Sequence, residues 1–468
     1  MIEIEFLGGA QTVTGSKHLV RTSRAAVLLE CGLFQGRRRD AWAQNHELPL
    51  DHESLDAVVL SHAHIDHSGA LPLLYKQGYR GTIFATPATR DLCVPMLMDA
   101  AMIQEADARH IERLIERDHA DIEPAQLLYT RDDAVGAVEL MITVPYRRRQ
   151  VVAPGVTCTF LDAGHVLGSA IVVLDIDDDG EHTRIAFTGD LGRHHLPILR
   201  DPEVPDGAHC LIMESTYGDR LHAPIEQAGD ALAEVIERTF KRGGKVIIPS
   251  FALERAQEIV YELKQLKAGG RLPNIPVYVD SPLTVKLTEV FKQHPDCYDR
   301  ETFDLLNSGD SPFDFEGLHY VSDVEESKAI DAKEGPAIII SASGMCEGGR
   351  VLHHLRAAIG RPENTVVIVG FQAEHTLGRR LVEQRDEVRI FGLPYRREAE
   401  VAVLNGFSAH ADQAGLLDYA ESVRRRGKLR RVILVHGEPG AQTVLMKELD
   451  ARGFPTVDAP SAGQRIRL

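Results

Sequence analysis

Short apolar runs broken by polar turns fill the first third of the chain. IEIEFLG, HLVRTS and AAVLLEC have the length and composition of strands, and DAVVLSHAH reads as a strand running into a polar turn. From about Met96 to Ile115 the apolar residues recur at helical spacing among many Ala, Glu and Arg, which predicts one long helix. Further strands are expected at VTCTFLDAG, AIVVLDID and RIAFTGD. After LIMESTYGD the rhythm changes. Helix AGDALAEVIERTFKRGG, strand KVIIPS, helix ALERAQEIVYELKQL and strand PVYVDS are followed by a helix through LTVKLTEVFKQ, strand AIIISAS, helix VLHHLRAAI and strand TVVIVGF. Wholly apolar strands joined by helices predict a mostly parallel sheet. From about Val401 strand and helix signals resume, with GLLDYAESVRR as helix and VILVHGE as strand. The chain shows no fixed-period repeat and no low-complexity segment. The pattern is a domain, an inserted α/β domain, and a return.

Composition narrows the class. At 468 residues the chain is long enough for two or three domains, each with its own core. Hydrophobic residues at 44% and charged residues at 26% are those of a soluble globular protein. No apolar run approaches the roughly 18 to 20 residues of a membrane span. The N-terminus MIEIEFLGGAQTVTG lacks a basic region followed by an apolar one, so a cytoplasmic protein without membrane attachment is expected. Six cysteines, Cys31, Cys93, Cys158, Cys210, Cys297 and Cys346, form no CxxC pair, which argues against disulfides and a thiolate zinc site.

The net charge of −17 repels a polyanion at long range. Two bound divalent cations would reverse that locally. The basic runs Arg37 to Arg39, Arg147 to Arg149 and Arg424 to Arg426 read first as solvated faces.

Chemistry enters at SHAHIDHSG. His62, His64, Asp66 and His67 fall within six residues directly after an apolar strand, and imidazole and carboxylate are ligands that zinc accepts. His62 and His64 can point to one side of an extended segment, while Asp66 and His67, around a turn, can face a second ion. A dinuclear site then needs ligands from elsewhere. His165 in DAGHVLGSA, Asp190 in FTGDLG and His436 in ILVHGE stand where strands give way to Gly-containing turns, the place where α/β sheets present functional side chains. Each alone is more often a turn residue; beside the histidine cluster they read as ligands.

The order HxHxDH, His, Asp, His resembles the metallo-β-lactamase fold. Glu214 in MESTYGD, His410 in GFSAHAD and His436 in LVHGEPG resemble the signature motifs of the β-CASP nucleases, with PSFALERAQE, VDSPLT, SASGMCEGGR and GFQAEHTLGR as supporting blocks. Together they cover almost the whole chain. The likeness is to bacterial and archaeal relatives of the endonuclease subunit of the cleavage and polyadenylation factor. It implies an α/β protein: a four-layer αββα metallo-β-lactamase fold over residues 1–212 and 401–468, with a β-CASP α/β domain inserted over 213–400. It further implies two Zn²⁺ ions, one held by His62, His64 and His165, the other by Asp66, His67 and His436, with Asp190 bridging. Asp66 would also orient or deprotonate the attacking water. His410 would protonate the leaving 3′-oxygen, oriented by Glu214.

The activity so implied is endonucleolytic hydrolysis of RNA. With one domain supplying the metals and the other capping them, a single strand fits better than a duplex. Manganese is an alternative to zinc, and a homodimer is an open option. The small residues of the loop Ser341 to Gly349 let backbone N–H groups approach a phosphate, and the likeness points to Ser343 and Gly344 as RNA contacts. A 5′-to-3′ exonuclease of the ribonuclease J type would use nearly the same ligands; against it, only about 30 residues follow His436. A small-molecule metallohydrolase would not need Glu214 and His410, and a non-catalytic scaffold would not need all seven ligands.

Two positions depart from the family pattern. Glu30 stands where the family carries aspartate, and is expected to hydrogen-bond a ligand histidine. His375 replaces a glycine before TLGR and is expected to be a loop substitution. Adjacent His194 and His195, and His353 and His354, diverge too far to chelate. Arg255 is expected either to reach substrate or to pair with Glu258.

Overall fold

A computed structural model describes residues 2–36, 38–118, 126–370, 372–373 and 375–468. Arg37, in the first basic run, and Phe371 and Glu374, in the GFQAEHTLGR block, lie outside the described residues. The chain divides into two compact units, one of Met1–His194, Asp201–Leu221 and His410–Leu468, the other of His195–Arg200 and His222–Ala409. Crossings were expected near residues 212 and 401. In the structure the strand Cys210–Glu214 belongs wholly to the first unit, and Glu400–Val403 pairs in parallel with Thr365–Ile368 of the second.

The first unit contains two seven-stranded sheets. One runs in the order Arg465–Arg467, Glu3–Gly8, Lys17–Arg21, Ala26–Leu29, Ala57–Val59, Thr82–Ala85, Met141–Thr143. The other runs Thr456–Asp458, Arg431–Val435, Cys210–Glu214, Glu181–Phe187, Ala170–Asp178, Val156–Asp162, Arg149–Ala153. Period-two alternation decides what each face buries. In the strand Arg431–Val435, Ile433 and Val435 enter a core shared with Phe6, Val27, Leu29 and Val59 of the first sheet. Val432 and Leu434 face the other way, onto Leu416, Leu417, Val423, Leu445 and Leu449. These last belong to helices Gln413–Arg426 and Pro439–Ala451. Fully burying such a side chain contributes about 1.5–3 kcal/mol, so a one-residue slip would forfeit both layers at once.

On the first sheet's side, helices Leu71–Lys76 and Pro87–Asp118 pack against Arg131–Glu139, and Pro87–Asp118 also meets the strand Met141–Thr143. The architecture is the four-layer αββα sandwich. Pro87–Asp118 begins well before Met96 and carries Pro95 inside it.

The second unit is built on a six-stranded sheet in the order Leu318–Val321, Val277–Asp280, Ile338–Ser341, Val246–Pro249, Thr365–Ile368, Glu400–Val403, every pairing parallel. Its four inner strands are buried along their whole length, as the uninterrupted apolar runs predict. No helix among the described residues is long and apolar enough to cross a membrane. The six cysteines are buried, and none forms a disulfide among the described residues.

Candidate metal centre

Strand direction gathers the candidate residues. Arg431–Val435, Cys210–Glu214 and Glu181–Phe187 are parallel neighbours, and Val156–Asp162 runs the same way two strands further on. Their carboxyl ends share one edge of the sheet, and from it come His436, Glu214, Asp190 and His165. The strand Ala57–Val59 of the other sheet delivers the SHAHIDH segment, whose Ile65–Ser68 portion closes one helical turn.

That turn is held through its backbone. The carbonyls of Ile65, Asp66 and His67 accept from the N–H groups of Leu33, Ser16 and Cys31 at 3.0, 2.8 and 2.8 Å. Gly32 lies so close that a Cβ there would overlap the Asp66 carbonyl oxygen. Only glycine permits this approach.

Around Asp190 the ligand atoms form two groups. His62 Nε2 and His64 Nδ1 are 3.2 Å apart, and His165 Nε2 lies 3.4 Å from the same His64 nitrogen. His62 and His165 each stand 3.5 Å from Asp190 Oδ2. Across the carboxylate, His67 Nε2 and His436 Nε2 are 3.2 Å apart, and Asp66 Oδ2 lies 3.3 Å from His436 and 3.9 Å from His67. His67 Nε2 and His436 Nδ1 both stand 3.3 Å from Asp190 Oδ1. Ligand atoms set tetrahedrally at about 2.0–2.1 Å from a zinc ion are themselves about 3.3–3.4 Å apart.

His62, His64, His165 and Asp190 thus have the spacing of one tetrahedral shell; Asp66, His67 and the Nε2 of His436 form a second group that reaches Asp190 through His67, while His436 turns its other nitrogen to that carboxylate. The groups His62, His64, His165, Asp190 and Asp66, His67, His436 could each hold a metal ion. Asp190 Oδ1 and His165 Nδ1 are buried without a hydrogen-bond partner among the described residues. An acceptor so placed is costly unless a cation or donor meets it.

Electrostatics fit a cation too. Burial depresses His62, His64 and His165, His64 to about 4, so these rings are neutral near pH 7 and keep a lone pair for a metal. His67 is also buried, yet Asp190 and Asp66 outweigh that and raise it well above its ordinary value. The field that draws a proton to His67 would draw a cation to the same place.

Outer partners orient the rings. Ser61 Oγ lies 2.9 Å from His62 Nδ1, and Thr216 Oγ1 lies 3.2 Å from His436 Nδ1. Glu30, fully buried at φ +65°, accepts from Ser61 N at 2.8 Å through Oε1 and brings Oε2 to 3.4 Å from His67 Nδ1. Ser61, Thr216 and Gly32 escaped the sequence reading. Their only signal was adjacency to a candidate residue: Ser61 before His62, Thr216 two after Glu214, Gly32 two after Glu30.

His410 stands beside this group. Its ring centroid is 4.4 Å from that of His165, and its Nδ1 lies 3.0 and 3.2 Å from the two oxygens of Glu214. Gly192 bridges it in antiparallel fashion, Ala411 N donates to Leu191 O at 2.7 Å, and Asp412 caps the following helix through Gly415 N. Glu214 Oε1 also accepts from Leu191 N at 2.6 Å, so the carboxylate has little freedom. Burial lowers the His410 pKa, but Glu214, Asp190 and Asp66 outweigh it and raise it to about 9. With Nδ1 on Glu214, Nε2 is left for a second partner.

The remaining positions have other surroundings. Ser343 and Gly344 belong to the second unit, in the loop after Ile338–Ser341. Arg255 is buried and pairs with Glu258. His375 is exposed at φ +69° and offers its carbonyl to Arg380. His194 pairs with Asp201, His353 packs against Phe391 with the rings tilted by 48°, and His354 sits between Asp280 and Asp331.

Comparison with known proteins agrees across the chain. Residues 14–135 match the metallo-beta-lactamase superfamily, 256–381 the Beta-Casp domain, and 394–459 the Zn-dependent metallo-hydrolase RNA specificity domain. The chain is 37% identical over 447 residues to Ribonuclease TTHA0252 of Thermus thermophilus, covering 95% of each protein. It is 34% identical over 484 residues to Transcription termination factor FttA of Pyrococcus abyssi, covering 100% of this chain and 71% of that one. A crystal structure of a protein of unknown function from Enterococcus faecalis aligns over 100% of both chains with a TM-score of 0.54 at 13% identity, a likeness of fold alone.

Proposed function

The chain belongs to the β-CASP ribonucleases of the metallo-β-lactamase superfamily, metal-dependent enzymes, and from that footing we propose that it cuts single-stranded RNA internally, leaving 5′-phosphate and 3′-hydroxyl ends. The first unit serves as the metallo-β-lactamase domain and the second as the β-CASP domain. The observation that carries the reading is the two ligand groups around Asp190 with the Glu214–His410 pair beside them.

His62, His64 and His165 would hold one divalent ion, Asp66, His67 and His436 the other, and Asp190 both; zinc suits this donor set. Such a pair of ions supplies a water acidified toward neutrality and a positive field for the phosphodiester. Asp66, whose side chain is 21% exposed, orients the attacking water and receives its proton. His410 gives a proton from Nε2 to the departing 3′-oxygen. Glu214 keeps the proton of Nδ1 in place and favours the imidazolium, so the ring is charged before the bond breaks. Oriented donors of this kind lower the barrier because they need no reorganisation as charge develops.

The test uses purified chain, zinc or manganese, and two labelled single-stranded RNAs of one sequence, linear and circular. Cleavage of the circle by the wild type, abolished by Asp66→Ala, is the expected result. A linear substrate shortened only from its 5′ end would replace the internal cut with an exonuclease. Equal inertness of wild type and variant would remove the activity altogether.

A further inference from the structure

Phe251 is a large apolar side chain left 39% exposed, just beyond the carboxyl end of the strand Val246–Pro249. In the parallel sheet of the second unit that strand lies between Ile338–Ser341 and Thr365–Ile368. Three loops therefore rise side by side from one sheet edge, the edge at which open parallel sheets receive ligands.

Each flanking loop sets a glycine against the ring. A Cβ on Gly344 would lie 2.9 Å from Phe251 Cδ2, and one on Gly370 would lie 3.6 Å from Cε2. The two glycine loops are tied together by Gln372, whose Nε2 donates to the carbonyls of Gly344 and Gly370 at 3.0 and 3.2 Å. One edge of the ring is thus fixed by main chain, while the rest is open to water. A phenyl ring packed along one edge has less rotamer freedom to lose on binding than one that is fully solvated.

We propose that Phe251 is a stacking platform for a base of the RNA strand. The inference rests on the ribonuclease reading above and adds a base-contacting residue to it. The ring has no donor or acceptor and no charge, so it gains nothing from a phosphate. What it matches is the π face that every nucleobase presents, a contact that is tolerant of sequence. The neighbouring loop Ala342–Gly349, with its small residues, is where the adjoining backbone would pass.

The experiment compares wild type, Phe251→Ala and Phe251→Tyr on a single-stranded RNA, with an abasic oligonucleotide of equal length as competing inhibitor. For Phe251→Ala we expect KM to rise about tenfold and kcat to stay within about twofold. Tyrosine should restore the wild-type KM. The abasic competitor should inhibit all three proteins equally, because it offers no base to stack. Unchanged KM in Phe251→Ala, with the wild type cleaving normally, would overturn the platform and leave the ribonuclease reading standing. A rise in KM matched by an equal loss of abasic binding would also overturn it, since that pattern belongs to a disturbed loop. A wild type inert on RNA would remove both.

Discussion

Glu214 and His410 are 196 residues apart in sequence and meet at 3.0 Å, the carboxylate fully buried and the imidazole side chain 22% exposed. A buried carboxylate on one ring nitrogen leaves the other to work as an acid. If the work is protonation of a leaving oxygen, it should matter only for a leaving group that needs the proton.

On RNA, His410→Ala should therefore lower kcat by about 10²–10⁴. On a p-nitrophenyl phosphodiester, whose leaving group departs as a stable anion, the deficit should shrink toward unity. Glu214→Gln should follow the same trend. Metal content, read by mass spectrometry, should stay at the wild-type value in both. An equal deficit on the two substrates would show that His410 acts elsewhere.

Gly32 offers a test of the turn that carries Asp66 and His67. A Cβ there would overlap the Asp66 carbonyl oxygen, so Gly32→Ala must push the turn away from the loop behind it. Overpacking of this kind costs about 1–3 kcal/mol of stability. We expect the Asp66, His67, His436 shell to lose metal affinity by about tenfold or more, seen in competition with a chromogenic chelator. Wild-type affinity would mean that the approach is not constraining.

Glu30, with its backbone in the left-handed region, reaches Ser61 N and approaches His67 Nδ1 at 3.4 Å. Glu30→Ala should weaken metal binding about 10- to 100-fold. Glu30→Asp, which cannot bridge both groups from the same backbone, should fall between the two. An alanine variant with full affinity would reduce Glu30 to a packing residue.

A pH-dependent contribution to stability sits in the second unit. His354 is buried between Asp280, at 2.7 Å, and Asp331, at 2.6 Å, and Asp280 also takes Arg350 and Ser327. Burial opposes the charge on His354, but the two aspartates prevail and raise its pKa from 6.5 to about 8. A raised histidine stabilises fully below pH 6.5, and the effect fades as pH climbs through about 8. The shift corresponds to about 2 kcal/mol. Hydrogen exchange in the strand Ile338–Ser341, corrected for intrinsic rates, should show this loss between pH 6 and 9 in the wild type and not in His354→Gln. Parallel pH profiles would contradict the assignment.

How much of this was legible in the sequence depended on distance along the chain. His62, His64, Asp66 and His67 stand out because one strand and one turn present all four, and that spacing survives folding. His165, Asp190 and His436 share only a strand-end position; the nearby histidine cluster made them ligand candidates, and the family likeness divided them between two ions. Ser61, Thr216 and Gly32 act through partners fixed by tertiary approach, which residue type does not encode. The strand Glu400–Val403 shows the same limit at the level of fold. Its apolar pattern is right for a strand, but nothing in the pattern says which sheet it joins, and it pairs with Thr365–Ile368. The short strand Arg465–Arg467, beside Glu3–Gly8, was too polar to read at all.

The most direct test of the paired-metal account is an anomalous difference map, recorded at the zinc edge from crystals of the zinc-loaded protein. Two peaks about 3.5–4 Å apart, one beside His62, His64 and His165, the other beside Asp66, His67 and His436, with Asp190 between them, are the expected result. A single peak, or a peak bound by neither group, would contradict it.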